Sequence, residues 1–354
     1  MLSAVRAVMH AQVTARDSAV SARYYGSRDF GSEAQFNPLT QIVNEGYDIL
    51  RTRFEDRHIF SRDYATGIRN VARSVWHADA TYRFYGVPNA VRNEWLPLTT
   101  QRSTGGGAWV PNYEYHLLGA GMVSVRMEEW FEQHGIPHPA LLSATTLMAS
   151  HVLNEVVENG AQRSWNEDAV TDLLIFDPAG LLLWRLGAVQ RFFSGPVQMT
   201  NWPGQASIDV AHHTLENAGQ QYVLRAPIPF IRAWSVFYDF GMSTLLGLSR
   251  RGADGSAWSG GVGLDAVDNP VVDERTGAKT ATLAFKGGLF YDRDGSLLFS
   301  ILAGSRRDVA RMTINVYPGT LSVGGMRPGF WFQLPDRGAL RFGIATRLGI
   351  GAGG

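Results

Sequence analysis

Residues 340–350 read LRFGIATRLGI, and large apolar side chains stand at nearly every second position of this stretch. They alternate with small residues and arginines, with Leu340, Phe342, Ile344, Leu348 and Ile350 on one side and Arg341, Gly343, Ala345, Arg347 and Gly349 on the other. Thr346 is the one polar residue on the apolar side. Because successive side chains of a strand point to opposite faces, a period of two predicts a β-strand with one apolar face.

The same alternation occurs upstream, most clearly in residues 234–243, where WSVFYDFGMS places apolar residues on one face. Turn-forming sequences separate runs of this kind at Asp254-Gly255, Asp294-Gly295, Pro318-Gly319 and residues 335–338. Counting the runs over 216–354 predicts about eight strands of roughly ten residues, a length that crosses a bilayer at a tilt.

The composition of the two faces favours an antiparallel β-barrel over a soluble β-sandwich. Small residues, Arg341 and Arg347 suit a crowded barrel interior, where Asp239 and Asp265 are the expected acidic partners. Aromatic residues recur near the ends of the runs, as they do in interfacial girdles, at Trp234, Tyr291, Tyr317, Phe330 and Trp331. The sandwich remains the alternative, because its strands alternate in the same way.

Residues 37–215 show helical signals instead, so the predicted fold class is α+β. Asn37-Pro38 combines an N-cap with proline at the first helical position. Helices are expected over 62–76, 114–133 and 139–158, with a linker at 91–113. Ser164 and Glu167 fit a capping box. Asp177-Pro178 should end that helix and cap the next, which runs to Phe193.

Composition narrows the class of protein further. The 354 residues include 32 Lys+Arg, 32 Asp+Glu and no cysteine. A balanced charge argues against nucleic acid as a partner, and the missing cysteines exclude disulfides and thiolate chemistry. The charged fraction of 18% is low for a soluble protein and suits sheets that face lipid.

The N-terminal region predicts export. No stretch of about 18 residues is apolar enough to predict a membrane-spanning helix. MLSAVRAVMHAQ resembles the end of a secretory signal, so residues 1–36 are interpreted as a signal remnant followed by a loop. The most apolar helical window, 139–153, contains several polar residues and favours a buried or interfacial helix. A chain of this kind would cross a bilayer with strands.

One polar stripe in the helical part could carry chemistry. At about 100° per residue, His151, Glu155 and Glu158 fall on one side of the helix over 139–158. Three interpretations stay open: a divalent metal held by His116, His151, Glu155 and Glu158; a general acid and base acting on a lipid ester or phosphate; and a salt-bridged helix end in which Arg126 or Arg163 pairs the glutamates.

Other polar residues are weaker candidates. Asp172 is the fourth expected catalytic residue, because it can point back towards the stripe. Ser164 and Asp177 are interpreted as helix caps. His212-His213 is a bare pair with little to suggest a metal site. No nucleophile elbow, phosphate-binding loop or HExxH motif occurs.

The middle segment resembles a bacterial family of uncharacterised envelope proteins, a domain of unknown function usually predicted to sit in the outer membrane. The resemblance covers about 70 residues, from EYHLLGAGMVSVRMEEWF to FDPAGLLLW. The matching positions are His116, Arg126, Ser150, Glu155, Glu158, Ser164, Asp172 and Gly180. A fainter likeness is to small helical proteins related to the teicoplanin-resistance protein VanZ. The resemblance implies a helical unit followed by strands, and it implies no particular activity.

These observations predict an outer-membrane-associated or periplasmic envelope protein with a helical domain over 37–215 and a barrel over 216–354. A structural or lipid-interacting role is expected, with membrane lipid and an envelope protein as partners. The alternatives are an envelope lipid hydrolase or metal-binding enzyme centred on His151, Glu155 and Glu158, and a soluble accessory subunit of a membrane complex.

Overall fold

The fold is α+β, as the sequence predicted. A computed structural model describes residues 23–51, 57–95, 111–161, 165–241, 243–272, 279–304, 310–322, 324–335 and 338–354. Within them, the helices lie between residues 31 and 194 and the strands between residues 200 and 353. The predicted signal remnant, Ser164 and Arg163 lie outside the described residues.

The helical part is a sequence of short helices around one long helix. Its α-helices are α1 Pro38–Gly46, α2 Tyr64–Trp76, α3 Ala78–Tyr85, α4 Val87–Ala90, α5 Gly121–Gln133, α6 Pro139–Glu158, α7 Glu167–Thr171, α8 Asp177–Leu183 and α9 Gly187–Ser194. Three segments of wider, π-helical geometry adjoin them, at Val91–Trp95, Asn112–Ala120 and Asp172–Phe176. Short 3-10 turns occur at Gly31–Gln35, Asp48–Arg51 and Asn159–Ala161.

Two helix starts follow from their caps. The side chain of Asn37 accepts a hydrogen bond from the backbone N–H of Thr40 at 2.9 Å, which confirms the predicted N-cap. Asp63 caps α2 in the same way. The start of α7 differs from the prediction, because Asn166 is its cap.

The strands form one large mixed sheet of thirteen strands instead of about eight. They are β1 Thr200–Pro203, β2 Ser207–Asp209, β3 Thr214–Glu216, β4 Gln220–Pro227, β5 Trp234–Gly241, β6 Ser243–Arg251, β7 Ser256–Val272, β8 Lys279–Arg293, β9 Ser296–Gly304, β10 Met312–Val316, β11 Gly329–Leu334, β12 Arg341–Ala345 and β13 Gly351–Gly353. The order is β1-β4-β5-β6-β7-β8-β9-β10-β11-β12-β13-β2-β3, an open order. All pairs are antiparallel except β13 with β2. The sheet therefore begins at Thr200, inside the predicted helical domain.

The first four strands form one interrupted hairpin. β1 pairs with β4 through Thr200↔Val223, and β2 pairs with β3 through Ser207↔Glu216, in the same register. Between them, the N–H of Gly204 donates to the carbonyl of Gly219 at 2.7 Å and continues that register. On its outer sides, this hairpin pairs with β5 through β4 and with β13 through β2.

The stretch 340–350 does not form one strand. β12 ends at Ala345, and a turn follows in which Gly349 adopts φ +91° and donates its N–H to the carbonyl of Thr346. β13 then returns alongside β12, with Ile344 opposite Ala352. Glycine permits this turn because a residue without Cβ adopts a positive φ at little cost. The alternation of apolar residues continues through the turn and therefore did not reveal that the chain reverses direction.

Several side chains predicted for the barrel interior or girdle lie elsewhere. Arg341 pairs with Glu216 and Arg347 with Asp29, both at 3.5 Å, so Asp239 and Asp265 are not their partners. Asp265 pairs with Lys286. Trp331 and Tyr317 are buried, so they cannot belong to an exposed girdle.

Among the described residues, one helix, α6, is long and apolar enough to cross a membrane by length and composition, and 44% of its apolar window is buried within the protein. α6 packs against α1, α2 and α5 and buries His151 and Glu155 on its inner face.

Candidate functional site

Three side chains of the helical domain converge on one point. The Nδ1 atoms of His116 and His151 lie 3.2 Å apart, and each contacts the same oxygen, Oδ1 of Asp177, at 2.8 and 2.5 Å. His151 is 1% exposed and Asp177 is 0% exposed. We call this group the His–Asp cluster.

A second carboxylate lies against the far nitrogen of each imidazole. Nε2 of His116 lies 3.3 Å from Oδ2 of Asp172, and Nε2 of His151 lies 2.9 Å from Oε1 of Glu45. Both histidines therefore point Nδ1 at the centre of the cluster and Nε2 at an acid outside it.

Glu45 is held by its own partners. Its Oε2 accepts a hydrogen bond from the hydroxyl of Ser150 at 2.6 Å and another from the side chain of Gln41. The hydroxyl of Tyr222 on β4 donates to Oε1 at 3.3 Å. Helix α1 and the sheet thus fix the carboxylate that contacts His151.

Close packing of the chain brings the cluster together. His116 lies in the π-helical segment Asn112–Ala120, His151 on α6 and Asp177 at the start of α8. A Cβ on Gly180 would lie 2.7 Å from the carbonyl oxygen of His116, so glycine lets α8 approach that segment closely. π-Helical turns often occur at functional sites, and both His116 and Asp172 stand on one.

A group of carboxylates adjoins the His–Asp cluster. Ligand atoms of Glu155, Glu158 and Asp168 lie within 4.8 Å of one another, and Asp168 also contacts Glu94. We call these four residues the acid cluster. Asp172 interacts electrostatically with Glu155, Asp168 and Glu94 as well as contacting His116, so it lies between the two clusters.

The shared burial of these groups changes their protonation. Burial raises the pKa of Glu155, and the neighbouring carboxylates of Asp168 and Glu158 raise it further. Burial and then Asp168 raise the pKa of Asp172 in the same way. The acid cluster therefore holds protons that an exposed carboxylate would release at neutral pH.

In the His–Asp cluster, neighbouring groups of opposite charge outweigh burial in setting the pKa values. Burial alone would lower the pKa of His151, but the carboxylates of Asp177 and Glu45 outweigh it and raise that pKa well above its usual value. Burial would raise the pKa of Asp177, but His151 and His116 lower it to about 2. The buried ring of His151 thus lies between the carboxyl groups of Asp177 and Glu45, which favour its protonated form.

The structure partly separates the residues that the sequence grouped together. His116 and His151 meet, and Asp172 contacts His116. Glu155 and Glu158 lie in the acid cluster and not at the meeting point of the histidines. The predicted metal set of His116, His151, Glu155 and Glu158 is therefore divided between two clusters.

Sequence reasoning missed two members of the site. Asp177 was interpreted as a helix cap, but its backbone is helical and its side chain contacts the two histidines instead of capping α8. Glu45 carried no signal in the sequence except its position four residues after Gln41 on a helix. Arg126, an expected partner of the glutamates, instead donates to Asn201 and lies over the ring of Phe36.

His212-His213 does not form a metal site among the described residues. Nδ1 of His212 contacts Asp209 at 2.6 Å, and His212 is largely exposed. The ring of His213 packs edge-on against Phe60. Each imidazole has a local partner of its own.

The sheet presents a second functional feature, an apolar outer face. Along β5–β8 and β11–β12, the exposed side chains include Trp234, Val236, Leu246, Leu248, Trp258, Val262, Leu264, Leu283, Phe285, Leu289, Phe332, Leu334, Phe342 and Ile344. Many are neighbours across strands, such as Leu246 with Val262 and Phe332 with Phe342. The exposed apolar surface is therefore continuous across β5–β8, and a second apolar area lies on β11 and β12.

The inner face of the same strands is rich in polar and charged groups. Arg225 pairs with Asp292, and Lys286 pairs with Asp265. Ser249 and Ser259 hydrogen-bond to each other at 2.9 Å. The buried face of the sheet therefore combines ion pairs and serines with an aromatic cluster that includes Trp202, Phe237 and Phe290, while the exposed face of β5–β8 is largely apolar.

Comparison of the chain with protein-family models, curated proteins and solved structures gives no match.

Proposed function

We propose that the protein is an outer-membrane-associated envelope protein whose sheet lies in lipid and anchors the helical domain. One observation carries the proposal: the exposed side chains of the sheet are apolar, and the buried ones include ion pairs and serines. A contiguous exposed apolar surface larger than several hundred Å² is rare on a soluble monomer and marks contact with a membrane or a protein.

The strand pairing supports closure of the sheet into a barrel. If β1 and β2 count as one interrupted strand and β3 and β4 as another, every strand of the series has a partner on both sides. The hairpin then joins β5 to β13, the two ends of the remaining strands. A closed sheet leaves no unpaired edge, as strands in lipid require.

The interior argues for an anchor and against a wide pore. The rings of Trp202, Phe237 and Phe290 pack across it with centroid separations of 5.4 to 6.3 Å. Tyr317 and Leu245 join the same cluster. Side chains that fill the interior in this way suit a barrel without an aqueous channel.

The helical part packs against β4 and β5, where Tyr222 and Phe240 share a core cluster with Tyr115, and it also contacts turns at one end of the sheet. The side chain of Gln35 donates to the carbonyl of Thr346, and the hydroxyl of Ser296 donates to the carbonyl of Phe30. These contacts involve the short turns before β9 and after β12. A membrane-inserted sheet would therefore hold the His–Asp cluster close to the bilayer.

Solubility and gel mobility test the proposal. We expect the full-length protein to remain with membranes in carbonate, to need detergent for purification, and to change electrophoretic mobility on boiling. A protein that stays monodisperse without detergent, with unchanged mobility after boiling, would contradict the proposal and favour a soluble accessory subunit whose apolar face binds another protein.

A metal-dependent enzyme is the second candidate function. The observation that favours it is the convergence of two imidazole nitrogens and one carboxylate oxygen in a buried position. Loss of lipid turnover after Asp177→Asn, with membrane association retained, would support this candidate. Unchanged turnover would leave the anchor as the function.

A further inference from the structure

We propose that the His–Asp cluster binds one divalent transition-metal ion through Nδ1 of His116, Nδ1 of His151 and the carboxylate of Asp177, with a remaining coordination position open to water. This inference does not depend on membrane insertion of the sheet. It differs from the set that the sequence suggested, because Glu155 and Glu158 are replaced by Asp177.

The donor set fits the chemistry of such ions. Two imidazoles and one carboxylate bind zinc in hydrolases and iron(II) in oxygenases, and both kinds of site keep open positions. In a tetrahedral site with metal–ligand distances of about 2.0 Å, the ligand atoms lie about 3.3 Å apart. The three distances here are 2.5, 2.8 and 3.2 Å. Metal binding therefore requires an expansion of less than about 1 Å along the shortest edge, between Nδ1 of His151 and Oδ1 of Asp177.

Second-sphere partners support the assignment most directly. A histidine that ligates a metal with one nitrogen usually donates the other N–H to a carboxylate, which fixes the tautomer and the ring direction. A carboxylate oxygen lies near Nε2 of each histidine, that of Asp172 at 3.3 Å from His116 and that of Glu45 at 2.9 Å from His151, although the contact of His151 lacks hydrogen-bond geometry. Two imidazoles that both turn Nδ1 towards Asp177, with their rings nearly perpendicular at 88°, can direct their lone pairs to one ion.

An unsatisfied buried oxygen provides an independent indication. Oδ2 of Asp177 has no hydrogen-bond partner among the described residues, although the side chain is fully buried. The same is true of Oδ1 of Asp172. A buried carboxylate oxygen without a partner destabilises the folded protein. A cation at the His–Asp cluster would interact favourably with Oδ2 of Asp177.

Charge balance points the same way. Asp177, Glu45 and Asp172 surround the two imidazoles, and the acid cluster lies beyond them. The acidic side chains outnumber the imidazoles, so a divalent cation at the centre would be surrounded by oxygen atoms that favour positive charge. His116, whose side chain is 13% exposed, provides the side from which an ion can enter.

Direct metal binding to the purified full-length protein, with or without detergent, tests the proposal. After treatment with a chelator, we expect titration with Zn²⁺ to show one tight equivalent. His116→Gln should weaken that binding by about 100-fold or more, and Asp172→Asn by about 10- to 100-fold. The matched control is His212→Gln, which removes an imidazole that also contacts an aspartate and should leave binding unchanged.

Spectroscopy of the unmutated protein keeps the test independent of variant folding. Co²⁺ in place of Zn²⁺ should give the visible spectrum of a low-coordinate site, and X-ray absorption at the zinc edge should require two imidazoles. Absence of tight binding, equal binding by His116→Gln and His212→Gln, or a zinc shell of oxygens alone would overturn the proposal. A zinc shell of oxygens alone would point to the acid cluster instead.

Discussion

Replacement of Leu246 by lysine tests whether the outer face of the sheet lies in lipid. Leu246 stands in the middle of β6, is 59% exposed, and neighbours Val262 on β7. Removing a leucine side chain fully from water contributes about 1.5–3 kcal/mol to the free energy of unfolding, so lipid contact over the exposed 59% of Leu246 contributes roughly 1–2 kcal/mol. Moving the lysine ammonium into lipid adds a further loss of stability. A lysine that faces lipid near the bilayer midplane therefore lowers the free energy of unfolding by about 2–4 kcal/mol in total.

The matched control is Leu141→Lys on α6, where the leucine is 66% exposed in the helical domain. On a surface that faces water, such a change alters stability by less than about 0.5 kcal/mol. Both variants should be unfolded with guanidinium in lipid vesicles and followed by tryptophan fluorescence and heat-dependent mobility. Equal stability of Leu246→Lys and the unmutated protein would refute the lipid-facing assignment.

Three further predictions concern the helical domain. Gly180→Val should destabilise the protein by about 1–3 kcal/mol in denaturant melts, because its Cβ would lie 2.7 Å from the carbonyl oxygen of His116; an unchanged midpoint would show that α8 can shift freely. Asn37→Ala should lower the free energy of unfolding by about 1 kcal/mol, because the N-cap of α1 is lost. Asn37→Asp should keep most of the stability, because aspartate also caps helices, and thermal melts of the two variants check this difference. The metal-free protein should lose stability as the pH rises, because the folded-state pKa of His151 lies above its unfolded value of about 6.5 and its stabilising charge is fully present only below that unfolded pKa. The loss occurs as the pH rises from there through the raised folded pKa, and a pH series of melts on His151→Gln should show a flatter dependence.

The acid cluster should add to this pH dependence with the same sign. A carboxylate whose folded pKa is raised holds a proton in the folded state that the unfolded chain releases, so stability also falls as the pH rises above the unfolded value. Glu155 and Asp172 belong to this class. A bound metal ion would work against the loss, because deprotonated ligands bind it better.

Local signals predicted local structure well. Proline at position 139 and Asn159-Gly160 marked both ends of α6, which runs from Pro139 to Glu158 as expected. The cap at Asn37 was also correct, because capping depends on residues three positions apart. Turn dipeptides marked the connections before β7 and β9 for the same reason.

Patterns that depend on distant partners were predicted less well. The alternation over 340–350 continues across the turn at Gly349, and only the pairing of β12 with β13 reveals the reversal. Strands β1 to β3 are three or four residues long and form because they pair with β4, β13 and each other. A count of periodic runs therefore found about eight strands where the sheet has thirteen.

The sequence alone determined the α+β class, the main helix starts and the apolar and polar faces of most strands, because each depends on residues a few positions apart. Tertiary structure decided which polar residues form the site. Glu45, His116, His151 and Asp177 are up to 132 residues apart in the chain, and they meet because α8 packs closely at Gly180 and α1 packs against α6. An aspartate before a proline has the sequence signature of a helix cap. Asp177 lies at the centre of the cluster because the fold places His116 and His151 against its carboxylate.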